Sequence, residues 1–277
     1  MAEEWTERGR AATAALAETW GSLAEACHAL VTQEWALPTP CPGWDVKDQL
    51  SHLIGIERLL LGETAPTWDG PLGEHVKNDF AAMNEPWVCV RRGVPGDTVL
   101  AEFTEVTQRR LAALGATTDA QWAEVGWSPV GEVPLARFME SRVFDSWVHE
   151  QDVRVALDRP GGLGGRASAF GIGQVQAAMG MVVGKKARAP EGSVVCFDLH
   201  GEGDDARSFA LGMQGGRAGP APAGAEPTVT LRLSSLDFVR LGCGRTTAAD
   251  VDAAGGIELG GDAALGRTVL EQMNFMF

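Results

Sequence analysis

Between Asp158 and Arg166 the chain reads DRPGGLGGR, and the apolar residues follow different periods on the two sides of this break. Before it, long segments repeat at the three-and-four spacing of amphipathic helices. After it, one more helical stretch, Ala167 to Lys186, gives way to SVVCFDLHG, SFALGM and PTVTLRLS. These have the length, β-branched content and partial alternation of sheet strands. A helical period and a strand period cannot share one layer, so the pattern predicts two domains, a helical one over residues 1–160 and a smaller α+β one over 161–277. With 277 residues, each half is long enough to bury its own core.

Four long helices are predicted in the first half, which implies a four-helix bundle. Glu3 to Trp35 carries Leu16, Trp20, Leu23, Cys27 and Leu30 at helical spacing. LPTPCPGW then forces a compact turn. Asp45 is the expected N-cap of a second helix from Val46 to about Leu61, with Val46, Leu50, Leu53, Ile54 and Leu61 as its main stripe. Leu72 to Gly93 is mixed, helical until Pro86 interrupts it. Asp97, as N-cap, opens a third long helix that stops at Gly115, and Pro134 to Leu157 forms the fourth. In the second half, a helix over Ser235 to Leu241, a strand over Gly256 to Leu259 and a helix over Asp262 to Met273 complete the α+β set.

A formal charge of -14 without any basic run argues against nucleic acid, whose recognition requires clustered Lys and Arg. No apolar stretch approaches the roughly 20 residues that span a bilayer, and MAEEWTERGRAATA is charged where a signal peptide is apolar. The expected location is the cytoplasm, without membrane contact. Five scattered cysteines, Cys27, Cys41, Cys89, Cys196 and Cys243, form no CxxC pair and read as reduced thiols.

The chemistry concentrates in FMESRVFDSWVHEQDVR, Phe138 to Arg154, where Asp145 and His149 stand four residues apart on one helical face. His52 lies in the second helix, about 160° around from Leu50 and beside Asp48, Ile56 and Leu59. If the three converge, two imidazoles and a carboxylate can hold a zinc-like ion with an open coordination position. Arg142 and Asp152 continue the polar line on the fourth helix. Asp152 is a candidate acceptor for the free N–H of a ligating imidazole, and both residues are equally candidates for surface ion pairing. A solvent-exposed salt-bridge stripe is the plain alternative for the whole line. Asp and His are weak helix formers, however, and here they stand mid-helix beside Phe144 and Trp147. Cys41, 11 residues before His52, is a conceivable fourth ligand, although PCPG reads first as a turn that packs Trp44. His28, His75 and His200 have no partner at ligand spacing and read as structural or exposed. No GxSxG, P-loop or dinucleotide fingerprint is present.

TPCPGWDVKDQLSHL, RVFDSWVHEQDVR and LDFVRLGCGRTT followed by GGIELGGDAALGRTVLEQMNF together resemble the mycothiol-dependent maleylpyruvate isomerase family across essentially the whole chain. The resemblance implies a DinB-like four-helix bundle joined to a domain similar to sterol carrier protein 2. It implies His52, Asp145 and His149 as ligands of a divalent metal, usually zinc, and mycothiol as co-substrate. Where family members carry glutamate as the carboxylate ligand, this chain has the shorter Asp145. The resemblance also implies a basic residue of the C-terminal domain assisting near the metal, for which Arg240 and Arg245 are the candidates.

A metal lowers the pKa of a thiol bound at the open position, giving a thiolate that attacks an electrophilic carbon. If the thiol adds and leaves, the outcome is isomerisation; if the adduct persists, it is transfer. A metallohydrolase would use the same three ligands with water in the open position. A non-catalytic protein holding an apolar ligand in its sterol-carrier-like domain is the reading from a different class.

Overall fold

The helical period of the first half is realised as four long helices, α1 (Ala2–Ala26), α2 (Val46–Leu60), α4 (Gly96–Gly115) and α6 (Leu135–Leu157). The structure, a computed structural model, describes residues 2–129, 131–202 and 205–276. It divides into two units, Met1–Gly162 and Leu163–Phe277. In the first unit α1 packs on α6 and α4, and α2 packs on the same two, so the four helices close a ring. Leu16, Trp20 and Leu23 meet Leu50, Leu53, Ile54, Val99, Phe103, Val106, Met139, Val143 and Trp147 in a core that excludes solvent. Each such side chain contributes about 1.5–3 kcal/mol of transfer free energy. Asp45 caps α2, accepting from the Asp48 N–H at 2.8 Å.

Three details differ from the sequence pattern. Helix α1 stops at Ala26, well short of Trp35, because Ala29 takes the left-handed conformation (φ 58°) and turns the chain. Trp35 is instead buried in a 3-10 turn, Glu34–Ala36, with its indole so close to Gly96 that any Cβ there would meet the ring at 2.2 Å. Pro86 does not interrupt α3 (Asp79–Cys89), which runs through it from an Asn78 cap. The hydrogen bond lost at proline is offset by burial of Trp87, Val88 and Cys89, and the helix packs on α2. At the start of α4 the N-cap is Pro95, while Asp97 sits in the first turn and accepts from the Thr98 N–H at 2.9 Å. A short helix α5 (Asp119–Trp122) and a hairpin of β1 (Val125–Ser128) and β2 (Gly131–Pro134) lead into α6. Asp158 closes α6 in the left-handed conformation.

The second unit is α+β. Its sheet has the order β5-β4-β3-β6-β7, built from β3 (Val194–His200), β4 (Arg207–Gln214), β5 (Arg217–Pro220), β6 (Val229–Ser234) and β7 (Ile257–Gly261). All neighbours pair antiparallel except β3 and β6, which are parallel. Val195, Phe197, Leu199, Val229, Leu231 and Leu233 form the buried face, where Phe197 stacks on Phe209 at 4.8 Å and meets Phe238 edge-on at 5.7 Å. Alternate positions carry polar groups, with Arg232 donating to Asp198 at 2.9 Å. Helices α7 (Arg166–Met181), α8 (Ser235–Gly242), α9 (Ala248–Ala253) and α10 (Ala263–Glu271) complete it, α8 and α10 packing on β6. Among the described residues no helix is long and apolar enough to cross a membrane.

Gly55 tests the packing of α3 on α2. In an open mid-helix position Gly→Ala stabilises by about 1 kcal/mol. A Cβ on Gly55, however, would lie 2.4 Å from Cγ and 2.5 Å from Cβ of the buried Trp87. Overpacking should win, and Gly55→Ala is expected to destabilise by about 1–3 kcal/mol in denaturant unfolding.

Candidate metal centre

Helix α2 brings His52, and α6 brings Asp145 and His149, to one place in the bundle. One ligand atom from each lies within 4.8 Å of the other two. His52 Nε2 is 3.4 Å from Asp145 Oδ2, and His149 Nε2 is 3.7 Å from Asp145 Oδ1. The imidazole centroids are 4.7 Å apart. Both histidines are buried, whereas the Asp145 side chain is 30% exposed, so the group opens to solvent on the carboxylate's side.

The polar line on α6 is not a surface stripe, because Arg142, His149 and Asp152 are buried. Arg142 Nη1 donates to Asp145 Oδ2 at 2.6 Å, and its Nε and Nη2 donate to Glu57 Oε1 at 2.9 and 2.7 Å. Arg110 Nε donates to Glu57 Oε2 at 3.1 Å. The two guanidinium groups thus balance the two carboxylates inside the helix ring. Removing one partner from a buried network of this kind costs about 3–5 kcal/mol, since a buried charge is left unpaired.

This network sets the ionisation of the centre. Burial alone would raise the pKa of Asp145, but the Arg142 guanidinium, with the two histidines, holds it well below the usual carboxylate range. Burial lowers the pKa of His52 despite the pull of Asp145. Burial also disfavours charge on His149, yet the neighbouring carboxylates of Asp145 and Asp152 prevail and raise its pKa. In the neutral ring the His149 proton is placed by a 2.6 Å bond from Nδ1 to Gln49 Oε1, which leaves Nε2 bare toward Asp145 and His52. Gln49 therefore holds the position expected of Asp152, whose Oδ2 is 3.4 Å from the same nitrogen.

A divalent cation fits these residues. Both ring nitrogens of His52 are buried without a hydrogen-bond partner. A buried unsatisfied polar group costs about 1–3 kcal/mol, and a cation at Nε2 would relieve one of them. The set of two imidazoles and a carboxylate suits zinc.

The PCPG segment roofs the centre. Trp44 N–H bonds to Cys41 carbonyl at 3.2 Å across Pro42 and Gly43, and Gly43 has φ 81°, the geometry of a type II turn. The turn sets Trp44 over both imidazoles, at 4.9 Å from His52 and 5.7 Å from His149. Trp44 Nε1 donates to Glu85 Oε2 at 3.0 Å, and His75 Nε2 bonds to the same oxygen at 2.9 Å, so His75 is structural. His28 and His200 are exposed. Sequence spacing did not single out Gln49, Glu57, Arg110 or Glu85. In the second unit Arg240, on α8, donates from Nη1 to Asp237 at 3.2 Å and keeps a buried Nε without a hydrogen-bond partner. Arg245 donates to the Cys243 carbonyl at 3.2 Å.

Residues 3–154 match the family described as the mycothiol maleylpyruvate isomerase N-terminal domain. The crystal structure of the mycothiol-dependent maleylpyruvate isomerase is 17% identical, with 92% of each chain covered and a TM-score of 0.52. The structure of a histidine-to-alanine variant of that enzyme is 16% identical over the same shares, also at 0.52. At these identities the likeness is one of fold. A sterol carrier protein 2-like protein of Aedes aegypti is 20% identical over 38% of this chain and 96% of its own, with a TM-score of 0.29. No curated protein matches the chain by sequence.

Asp48, one turn before His52 on α2, offers a test by pH. It is buried, its Oδ1 has no hydrogen-bond partner, and burial together with Asp45 pushes its pKa up to about 6. The folded state thus binds the Asp48 proton more tightly than the unfolded chain, so this group costs stability as pH rises through that value. Asp48→Asn is expected to stabilise by about 1–3 kcal/mol above pH ~7 and by almost nothing below pH ~3.5. Urea unfolding of chelator-treated protein at both pH values checks this.

Proposed function

Because the chain belongs to the mycothiol maleylpyruvate isomerase family through its N-terminal domain, we propose that it is a mycothiol-dependent enzyme acting on a small electrophile. Its reaction is isomerisation or S-transfer, with a zinc ion held by His52, Asp145 and His149. The observation that carries this reading is the meeting of the three donors within 4.8 Å, with both nitrogens of the buried His52 lacking partners. A divalent ion held by these residues would supply Lewis acidity, which lowers the pKa of a thiol.

The chain's own groups prepare that chemistry. Gln49 keeps the His149 proton on Nδ1, so Nε2 stays free to ligate. Arg142 keeps Asp145 ionised while Glu57 fixes Arg142 from behind. Trp44 covers the imidazoles and keeps water off that side. The partly exposed side of Asp145 is where thiol and electrophile would enter. A mycothiol thiolate adding to an activated alkene leaves a single bond about which the adduct rotates, and expulsion of the thiolate returns the isomer without consuming the thiol. An adduct that cannot expel it is the product of transfer. Of the second unit's basic residues, Arg240 and Arg245 remain the proposed catalytic candidates, and Arg240 keeps a buried Nε without a hydrogen-bond partner. Five cysteines held as thiols fit a reducing compartment, and we place the protein in the cytoplasm.

Purified protein is expected to hold about one divalent ion per chain. His52→Ala and His149→Ala should each lose that ion and all mycothiol-dependent turnover. An intact metal content in His149→Ala, or equal turnover with mycothiol omitted, would contradict the reading.

A further inference from the structure

Cys41 lies inside a second donor set. Cys41, His149 and Asp152 each offer one ligand atom within 4.8 Å of the other two. His149 and Asp152 are buried, and Cys41 is half-buried. The Cys41 N–H donates to Thr39 Oγ1 at 3.3 Å, and Gln49 Nε2 donates to that same oxygen at 2.6 Å. Since Gln49 Oε1 also accepts from His149, the turn that carries the thiol and the imidazole are tied to one side chain. Asp152 Oδ2 lies 3.4 Å from His149 Nδ1, whereas Asp145 lies near Nε2. The two aspartates therefore address different nitrogens of one ring.

We propose that Cys41, Asp152 and His149 form a second site, for a soft divalent cation such as cadmium or excess zinc, that competes with the first site for His149. Thiolate and carboxylate bring two negative charges, enough to neutralise the ion, and sulfur favours a soft one. The first set brings one carboxylate, already bonded to Arg142. A neutral imidazole has a single bare nitrogen. With the proton on Nδ1, bonded to Gln49, Nε2 serves the first site. An ion on the Nδ1 side takes the other tautomer, with the proton on Nε2 toward Asp145 and the Gln49 bond broken. Loading the second site so withdraws a ligand from the first. Formation of the Cys41–metal bond releases the thiol proton to solvent. The site shares His149 with the proposed centre but depends neither on His52 nor on turnover.

Titration of chelator-treated full-length protein with Cd²⁺ tests this, following thiolate-to-cadmium charge-transfer absorption together with bound metal. The band should appear in the wild type and be absent in Cys41→Ser, which still binds an ion at the first site. In His52→Ala the band should appear at lower Cd²⁺, because the competing site is gone. Asp152→Asn should raise the Cd²⁺ concentration needed by roughly tenfold or more, which keeps the test decisive if Cys41→Ser does not fold. No band in the wild type, a band that persists in Cys41→Ser, or an unshifted Asp152→Asn titration would overturn the proposal. So would loss of the band in His52→Ala, which would make Cys41 a fourth ligand of the first ion. If the proposed function fails and the first site takes no zinc, the band is still expected.

Discussion

A single buried carboxylate, that of Glu57, holds the centre in place. It accepts from Arg142 through one oxygen and from Arg110 through the other, tying α2, α4 and α6 together inside the bundle. Arg142 then reaches Asp145 with the donor that Glu57 leaves free. Without Glu57, two buried guanidinium groups would face each other across one remaining carboxylate, and Arg142 would have no reason to stay beside Asp145. The position of Asp145 between the imidazoles is thus a consequence of charge balance several ångströms away. Buried charge networks are costly in desolvation and weak as sources of net stability. What this one provides is orientation: Asp145 ionised, one of its oxygens engaged, the other turned toward His149.

The large elements and the three metal-donor candidates are legible in the sequence, whereas the buried charges that orient them are not. The helical period located α2 and α6, and Asp145 and His149 at four-residue spacing could only lie on one face of the latter. His52, off the apolar stripe of α2, was ambiguous until the partner helix supplied a neighbour. Glu57 leaves a signal in the sequence. It stands seven residues after Leu50, about 20° around the helix, so it lies on the apolar stripe itself. A carboxylate there must be exposed at a helix end or paired inside, and it is paired. Gln49 shares a face with His52, but nothing local distinguishes a glutamine bonded to a distant imidazole from a surface one. The left-handed turn at Ala29 and the passage of α3 through Pro86 were hidden for a related reason: tertiary burial of Trp35 and Trp87 overrides the local preference.

The PCPG turn joins the two chemistries. Pro42 and Gly43 satisfy the backbone demands of a type II turn, which sets Trp44 over the imidazoles and leaves Cys41 grouped with His149 and Asp152. His149 is then the shared element. Its tautomer is chosen by Gln49, and that choice commits Nε2 to His52 and Asp145. Family membership and the fold frame what such a centre can do.

The central claim is spatial: His52, Asp145 and His149 bind one ion together. Crystals of the full chain grown with zinc, with anomalous diffraction recorded at the zinc edge, test it most directly. The account predicts a peak about 2.0–2.2 Å from His52 Nε2, an Asp145 carboxylate oxygen and His149 Nε2, with His149 Nδ1 still bonded to Gln49. Zinc bound only elsewhere, with the three side chains left as they are, would contradict it.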